Sequence, residues 1–272
     1  MEERAFLSRN HRSPELQNEW IEIQDSLKKS LISEDDFSWN LTINFDDSEA
    51  KEDQDSSECG EILKYVCGVD LSFSKTDSSV ACATLVVLDM STLEVIYEDS
   101  AVVELRVPYI PGFLAFREAP VLLELLEKMK KKELPSYPQL LMVDGNGLLH
   151  PRGFGLACHL GVLADLPTIG IGKNLHHVDG LTQSKVRQML EAAAEDSSKD
   201  VFTLVGASGS ALGAAMRSTQ GSIKPIFISV GHRISLTTAI KVAKLTCKFR
   251  VPEPIRQADI RSKDCLRKHG LR

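Results

Sequence analysis

The chain has 272 residues and a mass of 30.0 kDa, and 43% of its residues are hydrophobic, which suffices for one large or two small domains. These values exclude a peptide, a fibre and a wholly disordered chain. No run approaches the roughly 18 to 20 apolar residues of a membrane-spanning helix. The six cysteines contain no Cys-x-x-Cys pair that would indicate a zinc ribbon. We therefore expect a soluble, monomeric intracellular protein, cytoplasmic or nuclear (nucleolar), with no membrane partner.

The formal net charge of -6 is unevenly distributed. Residues 33–60 contain ten acids against Lys51 alone, a local charge of -9, whereas residues 61–272 carry +4. The acidic total therefore does not argue against a polyanionic ligand. We predict an amino-terminal helical segment (1–32), a mobile acidic linker (33–60) and a folded domain (61–272).

The first predicted element is a helix over residues 14–31, where apolar residues recur at spacings of three and four. This apolar stripe includes Trp20 and Ile23, and we expect it to dock on the main domain. Within the acidic segment, alternating apolar residues from Trp39 to Phe45 allow a brief strand or a docking segment.

The remaining pattern predicts an α/β fold with a mixed sheet flanked by helices. Three runs joined by short turns, at 62–72, 79–88 and 94–105, favour an antiparallel meander. Helices then alternate with short apolar strands, which is typical of parallel pairing. The predicted helices are 113–132, 154–164, 183–194, 235–245 and 253–268, and the predicted strands are 139–143, 168–171, 201–205, 211–217 and 225–230.

Two aspartates stand at strand ends. Asp70 lies inside an apolar run and Asp144 ends another, at the carboxyl edge where α/β sheets place ligands. A buried carboxylate needs a partner or a metal, and Glu118, near a helix start, can complete a cluster suited to Mg²⁺ or Mn²⁺. Such a cluster is what an RNase H-like nuclease requires for metal-assisted phosphodiester hydrolysis. Taken singly, each acid also fits a cap, a turn or a helix-dipole contact.

A glycine-rich loop follows Asp144. Four glycines fall within residues 145–155, beside His150, and allow the backbone to come close to a ligand. The alternative is a plain glycine-rich loop. The stretch lacks the Lys-Ser/Thr ending of a P-loop, which disfavours nucleotide triphosphate binding.

Four further features have both a functional and an ordinary interpretation. Tyr109 lies between Pro108 and Pro111 and is either a stiff wedge that enters a base stack or a packed side chain in a tight turn. Lys173 ends a buried strand, as a phosphate partner or a solvated lysine. His232 follows another strand and is predicted at the same edge, with a satisfied core histidine as the alternative. Asp259 on the last helix is either a distant metal carboxylate or a surface acid.

Together these residues resemble endonuclease V. The resemblance spans residues 61–262. The chain is similar to a eukaryotic member of the family, with the amino-terminal helix and the acidic insert outside the shared core. Six motifs carry it, in order: Gly-Val-Asp at 68–70, Pro-Tyr-Ile-Pro-Gly-Phe-Leu-Ala-Phe-Arg-Glu at 108–118, Val-Asp-Gly-Asn-Gly at 143–147, His-Pro-Arg-Gly at 150–153, Gly-Ile-Gly-Lys at 170–173 and Ser-Val-Gly-His-Arg at 229–233.

The resemblance implies an RNase H-like nuclease that binds inosine or deoxyinosine in single-stranded RNA or DNA. Such an enzyme hydrolyses the second phosphodiester bond on the 3′ side and leaves 3′-hydroxyl and 5′-phosphate ends. By motif, Asp70, Asp144 and Glu118 would hold Mg²⁺, with Mn²⁺ as a substitute, Lys173 would meet phosphate and His232 would assist near the metal. The implied wedge is Pro108, Tyr109, Ile110 and Pro111, and the implied inosine pocket is Leu114, Gly145, Asn146, Gly147, His150 and His176.

Other functions stay open at this point. A different RNase H-like nuclease would cut without regard to inosine. A nucleic-acid-binding protein would bind inosine without cutting, and a phosphatase for small molecules would leave the Tyr109 wedge unexplained. The choice between RNA and DNA depends on a contact with the 2′-hydroxyl, and the eukaryotic resemblance favours inosine-containing RNA.

Overall fold

The computed structural model describes residues 14–41, 60–192, 200–219 and 224–271. The strands are β1 (Trp39–Asn40), β2 (Glu61–Ile62), β3 (Tyr65–Phe73), β4 (Val80–Asp89), β5 (Val95–Glu104), β6 (Leu140–Asp144), β7 (Thr168–Gly172), β8 (Val201–Val205), β9 (Ala211–Met216) and β10 (Ile226–His232). The helices are α1 (Pro14–Lys28), α2 (Leu114–Lys130), α3 (Leu156–Ala164), α4 (Gln183–Ala192), α5 (Leu236–Thr246) and α6 (Glu253–Lys268). Within these ranges, no helix has the length and apolar character needed to cross a membrane.

Eight strands form one mixed sheet in the order β5-β4-β3-β6-β7-β10-β9-β8. The meander β3-β4-β5 is antiparallel, and β6 and β7 follow in parallel with β3. The predicted α/β fold with three antiparallel strands followed by parallel strands is confirmed. β10 then runs antiparallel to both β7 and β9, so its chain direction is opposite to that of its two neighbours.

Helices cover both faces of the sheet. α2 and α3 pack on one face, where Leu122 and Leu160 are fully buried. α5 and α6 pack on the other, where Val242 and Ile255 are equally buried. Since each such side chain contributes roughly 1.5–3 kcal/mol by burial, these two layers fix the helices that deliver side chains to the sheet edges.

The amino-terminal segment differs from its prediction in two ways. The buried face of α1 consists of Trp20 and Gln24, whereas Ile23 of the predicted stripe is 40% exposed. Residues 33–41, assigned to a mobile linker, are held to the domain by the bonds of Asp35 and Asp36. Trp39 is buried in the core, where β1 pairs in parallel with β2, so the strand or docking segment allowed from Trp39 begins as expected. Residues 42–59 of the acidic segment, including the end of the predicted brief strand, lie outside the described residues. The boundaries of the three predicted segments stay a prediction.

Candidate active site

Strand alternation places Asp70, Asp144 and Lys173 on one face of the sheet. Within β3 and β6, alternate residues such as Val66 and Met142 point into the α5–α6 layer, and side chains two residues apart share a face. Asp70 and Asp144 continue these two rows, and Lys173 continues the corresponding row just beyond β7. The Lys173 Nζ lies 2.5 Å from Asp144 Oδ2.

α6 brings a third carboxylate to this edge. A Cβ at Gly68 would lie only 2.1 Å from the carbonyl oxygen of Pro254, so the missing side chain lets the start of α6 approach β3. Ser262 on α6 then donates a hydrogen bond to Asp70 Oδ2 at 2.8 Å. Asp259, one turn earlier, lines the same cavity as Asp70, which favours the metal-carboxylate interpretation over a surface acid.

The cavity at this edge has a volume of about 370 Å³. Its lining combines acids with ammonium groups, a composition suited to a phosphate chain and a cation. The polar lining residues are Asp70, Ser72, Lys75, Asp144, Lys173, Asp259 and Lys263.

The carboxylates strongly influence one another. Burial, and then the charge of Asp144, raise the pKa of Asp70 to about 7. Burial, and then Asp70, raise the pKa of Glu118 to about 8, although this side chain approaches from α2 and does not line the cavity. For Lys173, burial alone would lower the pKa, but the ion pair with Asp144 outweighs it and raises the pKa.

This arrangement has the chemistry of a divalent-cation site. Buried acids that repel one another are stabilised by a bound cation, and oxygen ligands suit Mg²⁺ or Mn²⁺. Among the described residues, no group of three or more His, Cys, Asp or Glu side chains is gathered as a ready metal-ligand set. Instead, Lys173 neutralises Asp144 and Lys263 neutralises Asp259. The carboxylate oxygens are therefore donors of the type that a divalent metal binds. In this structure the ammonium groups of Lys173 and Lys263 balance the negative charge of two of these carboxylates.

His232 is not part of this cluster, and its predicted position was wrong. Because β10 is antiparallel to β7, His232 pairs with Thr168 at the start of β7. That places it roughly 13 Å along the strand from the end that leads to Lys173. There its Nδ1 accepts a hydrogen bond from the Ile32 amide at 3.3 Å, and its Nε2 lies 3.8 Å from Asp165.

Residues next to His232 hold the segment that follows α1. Arg233 forms ion pairs with Asp36 and Asp165, and its amide donates to the Ile32 carbonyl at 2.7 Å. Asp35 accepts hydrogen bonds from Ser235, at the start of α5. The motif at 229–233 therefore anchors the amino-terminal segment at the edge opposite the carboxylates.

The glycine-rich loop after β6 packs tightly on β10. A Cβ at Gly147 would lie 1.9 Å from the carbonyl oxygen of Val230, and the Gly147 amide donates to Ser229 Oγ at 2.8 Å. The neighbouring Asn146 has a buried side-chain oxygen without a hydrogen-bond partner in the described part of the chain. At least one glycine thus serves close packing, and Asn146 provides a free acceptor.

The remaining residues of the predicted inosine pocket are His150, His176 and Leu114. His150 and His176 lie close enough to interact, and burial, followed by this interaction, lowers the pKa of His150 to about 4. Leu114 is the first residue of α2, and its membership of the inosine pocket, like that of the loop residues, stays a prediction.

In the predicted wedge, Tyr109 is 61% exposed whereas Ile110 is buried. Ile110 thus serves as an anchor, and Tyr109 is the side chain that projects between Pro108 and Pro111.

Ser262 and Lys263 were missed by sequence reasoning. The only available signal was their spacing from Asp259, three and four residues, which puts all three on neighbouring positions of a helix surface. That signal does not tell which face of α6 meets the sheet.

A mixed α/β sheet with carboxylates from two adjacent strands and a covering helix at one edge defines an RNase H-like nuclease. The comparisons with known proteins agree. The Endonuclease V family model matches residues 47–260. Endonuclease V of Mus musculus is 47% identical over 253 residues, which cover 92% of this chain and 69% of the relative. Endonuclease V of Homo sapiens is 52% identical over 206 residues, covering 76% and 73%. The chain belongs to the endonuclease V family.

Solved structures show the same fold. The catalytic domain of human Endonuclease V, with substituted cysteines, matches with a TM-score of 0.82 at 44% identity, covering 96% of this chain and 100% of that one. A variant of Ciona intestinalis Endonuclease V matches with a TM-score of 0.81 at 31% identity, covering 94% and 99%. The latter was solved with a 23mer DNA containing an inosine followed by a ribo-adenosine. The family consists of nucleases, which generally need a divalent metal.

Proposed function

We propose that this protein is a divalent-metal-dependent endonuclease that cuts inosine-containing nucleic acid, with a preference for RNA. It hydrolyses the second phosphodiester bond 3′ to the inosine and leaves 3′-hydroxyl and 5′-phosphate ends. The observation that carries the proposal is the convergence of Asp70, Asp144 and Asp259 around one cavity, in a chain of a nuclease family. A small-molecule phosphatase would have no use for the exposed Tyr109.

Asp70 and Asp144 would hold the metal together with Glu118, which approaches them from α2, and we add Asp259 because it lines the same cavity as the two aspartates. When bound, Mg²⁺ or Mn²⁺ would neutralise charge at the attacking and leaving oxygens. Lys173 lies beside Asp144 and is available to pair with a phosphate oxygen. Ser262 holds Asp70 Oδ2 by its hydrogen bond and so fixes the orientation of this carboxylate.

Recognition of the base is assigned to two loops on the strength of the exposed Tyr109 and the free acceptor of Asn146. Tyr109, which is held between two rigid prolines, stacks among the bases of the nucleic-acid strand. Extrusion of a weakly paired base costs only a few kcal/mol. Asn146 Oδ1 is buried beside Gly172, and once the loop opens around a base it is an acceptor for the N1–H of hypoxanthine, a donor that adenine does not have. Gly145, Gly147 and His150 provide the surrounding loop.

The preference for RNA is supported by the ligand of the Ciona intestinalis relative. Its strand carries a ribose directly after the inosine. A protein distinguishes RNA from DNA by a contact with the 2′-hydroxyl, and a ribonucleotide at this one position provides such a group next to the base that is recognised.

The test compares four matched single strands, RNA and DNA with and without one inosine, in Mg²⁺ and in EDTA, with end-labelled products. We expect one cut, one nucleotide beyond the inosine's own 3′ phosphate, which is faster on RNA and absent in EDTA. Cutting that ignores inosine would assign the protein to another nuclease activity. Inosine binding without cutting in either metal would make it a binding protein.

A matched pair of variants tests the site itself. Asp144→Ala should abolish cutting and leave binding of the inosine strand within about threefold, because binding depends mainly on the loops and phosphate contacts. Asp264→Asn, on α6 but outside the cavity, should leave the rate unchanged. Retained turnover in Asp144→Ala would remove this residue from the reaction.

A further inference from the structure

The amino-terminal helix α1 packs against the base of the wedge loop, defined as residues 106–113. Trp20 stacks on Phe116 with ring centroids 4.8 Å apart and lies 5.8 Å from Phe113. Ile110, the buried member of the wedge, belongs to the same apolar cluster. The wedge loop, which carries the exposed Tyr109, is therefore anchored to α1 through the buried side chains of Ile110 and Phe113.

The same helix also contacts the glycine-rich loop, defined as residues 144–155. Gln24 is 1% exposed, and both ends of its amide are used. Its Nε2 donates to the Phe154 carbonyl at 2.7 Å, and its Oε1 accepts from Arg152 Nε. Asp25 and Lys28 add an ion pair and a hydrogen bond to Arg152 at 3.2 and 3.3 Å.

Arg152 connects the two loops. While it bonds to Gln24, its guanidinium also lies 5.5 Å from the ring centroid of Phe113, a cation–π contact. The glycine-rich loop and the end of the wedge loop thus share one arginine, and α1 fixes the position of that arginine.

A helix of 15 residues is marginal by itself in water, so α1 depends on these contacts. Its two buried residues are Trp20 and Gln24, one for each loop. A buried amide with both functions bonded requires a definite geometry, because a shifted partner is left unsatisfied. The hydrogen bonds of Gln24 therefore fix the positions of Arg152 and Phe154.

We propose that α1 is a brace that sets the separation of the wedge loop and the glycine-rich loop, with Gln24 as a positioning residue for substrate recognition. The proposal rests on the proposed function, in which these two loops recognise the base. Gln24 bonds to the backbone and side chain of the loop, and its role is to keep the loop in place for the substrate.

The first test measures hydrogen exchange without substrate. Gln24→Met keeps the volume of the side chain but removes both hydrogen bonds to the glycine-rich loop. The probes are the amides of Gly153, Gly155 and Phe113, which are bonded within their own loops. We expect at least about fivefold faster exchange in both loops and no change in β6. Unchanged exchange in either loop would overturn the brace, whatever the enzyme cuts.

The second test measures cleavage of the inosine strand. Gln24→Met should raise KM by about tenfold and leave kcat within about threefold, because positioning of the loops affects binding more than chemistry. Gln24→Glu, which can still accept from Arg152, should recover part of the loss. A larger loss in kcat than in KM would contradict a positioning role.

Two controls separate positioning from general destabilisation. Glu22→Gln changes an exposed residue of the same helix and should alter neither exchange nor KM. Val242→Ala lowers stability from the buried face of α5, in a different apolar cluster from the one that Trp20 of α1 joins, and should leave KM unchanged. If wild-type cleavage ignores inosine, the proposed function fails, and the exchange measurement still decides on the brace.

Discussion

Gly68→Ala tests whether the approach of α6 to β3 builds the active site. The new methyl group would lie 2.1 Å from the carbonyl oxygen of Pro254 and 2.3 Å from its carbonyl carbon, and neither backbone atom can rotate away. Non-bonded atoms need roughly 3.5 Å, so α6 must retreat by more than about 1 Å. Overpacking of this kind costs about 1–3 kcal/mol, and the weakened bond from Ser262 to Asp70 adds about 1 kcal/mol.

We therefore expect the free energy of unfolding to fall by about 2–4 kcal/mol. Cleavage should fall by roughly 100-fold, because a displacement of 1 Å at a reacting site has effects of that size. Urea titration followed by circular dichroism measures the first value and initial cleavage rates the second. Cys67→Ala, whose side chain packs on the α2 face, is the control and should reduce stability without reducing cleavage. If Gly68→Ala retains wild-type stability and rate, the close approach of α6 has no role in the site.

Three further predictions concern other parts of the molecule. Tyr109→Ala should lower affinity for inosine strands by about 1–3 kcal/mol of stacking energy and leave metal affinity unchanged, as strand and Mg²⁺ titrations will show. Asp35→Ala should lower the free energy of unfolding by about 1–2 kcal/mol in urea titration, because Ser235 at the start of α5 loses its acceptor. His159 is 5% exposed, and burial lowers its pKa from 6.5 to about 4. The unfolded chain therefore binds the proton first as pH falls below 6.5, so His159→Gln should reduce the loss of stability between pH 7.5 and pH 4.5 by about 2–3 kcal/mol.

Much of the active-site edge was predictable because β6 and β7 are short apolar strands that each follow a helix, after the meander that β3 opens. Helix crossovers imply parallel strands, and parallel strands end at a common edge. This reasoning correctly brought Asp70, Asp144 and Lys173 together. It failed for His232, because β8 and β9 intervene and reverse the chain before β10. Apolar pattern identifies a strand but not its direction.

The contribution of α6 was not predictable for a different reason. Whether Asp259 meets the sheet or the solvent depends on which face of the helix packs on β3, and that contact is made through the backbone of Pro254. A glycine in a strand indicates that something approaches closely, yet it does not identify the partner 186 positions along the chain. The roles of Gln24 and Asp35 were missed likewise, since each bonds to residues more than 100 positions away.

The pairing of β1 with β2 has a consequence for the length of the acidic segment. Trp39 is opposite Glu61 and Asn40 is opposite Ile62, so the chain leaves the core and rejoins it at neighbouring positions. Between such fixed ends, each doubling of the number of connecting residues costs only about 0.6 kcal/mol of closure entropy. Insertions and deletions within residues 42–59 should therefore be nearly neutral for folding, which leaves this segment free to vary in length and charge during evolution while the carboxylate edge stays unchanged.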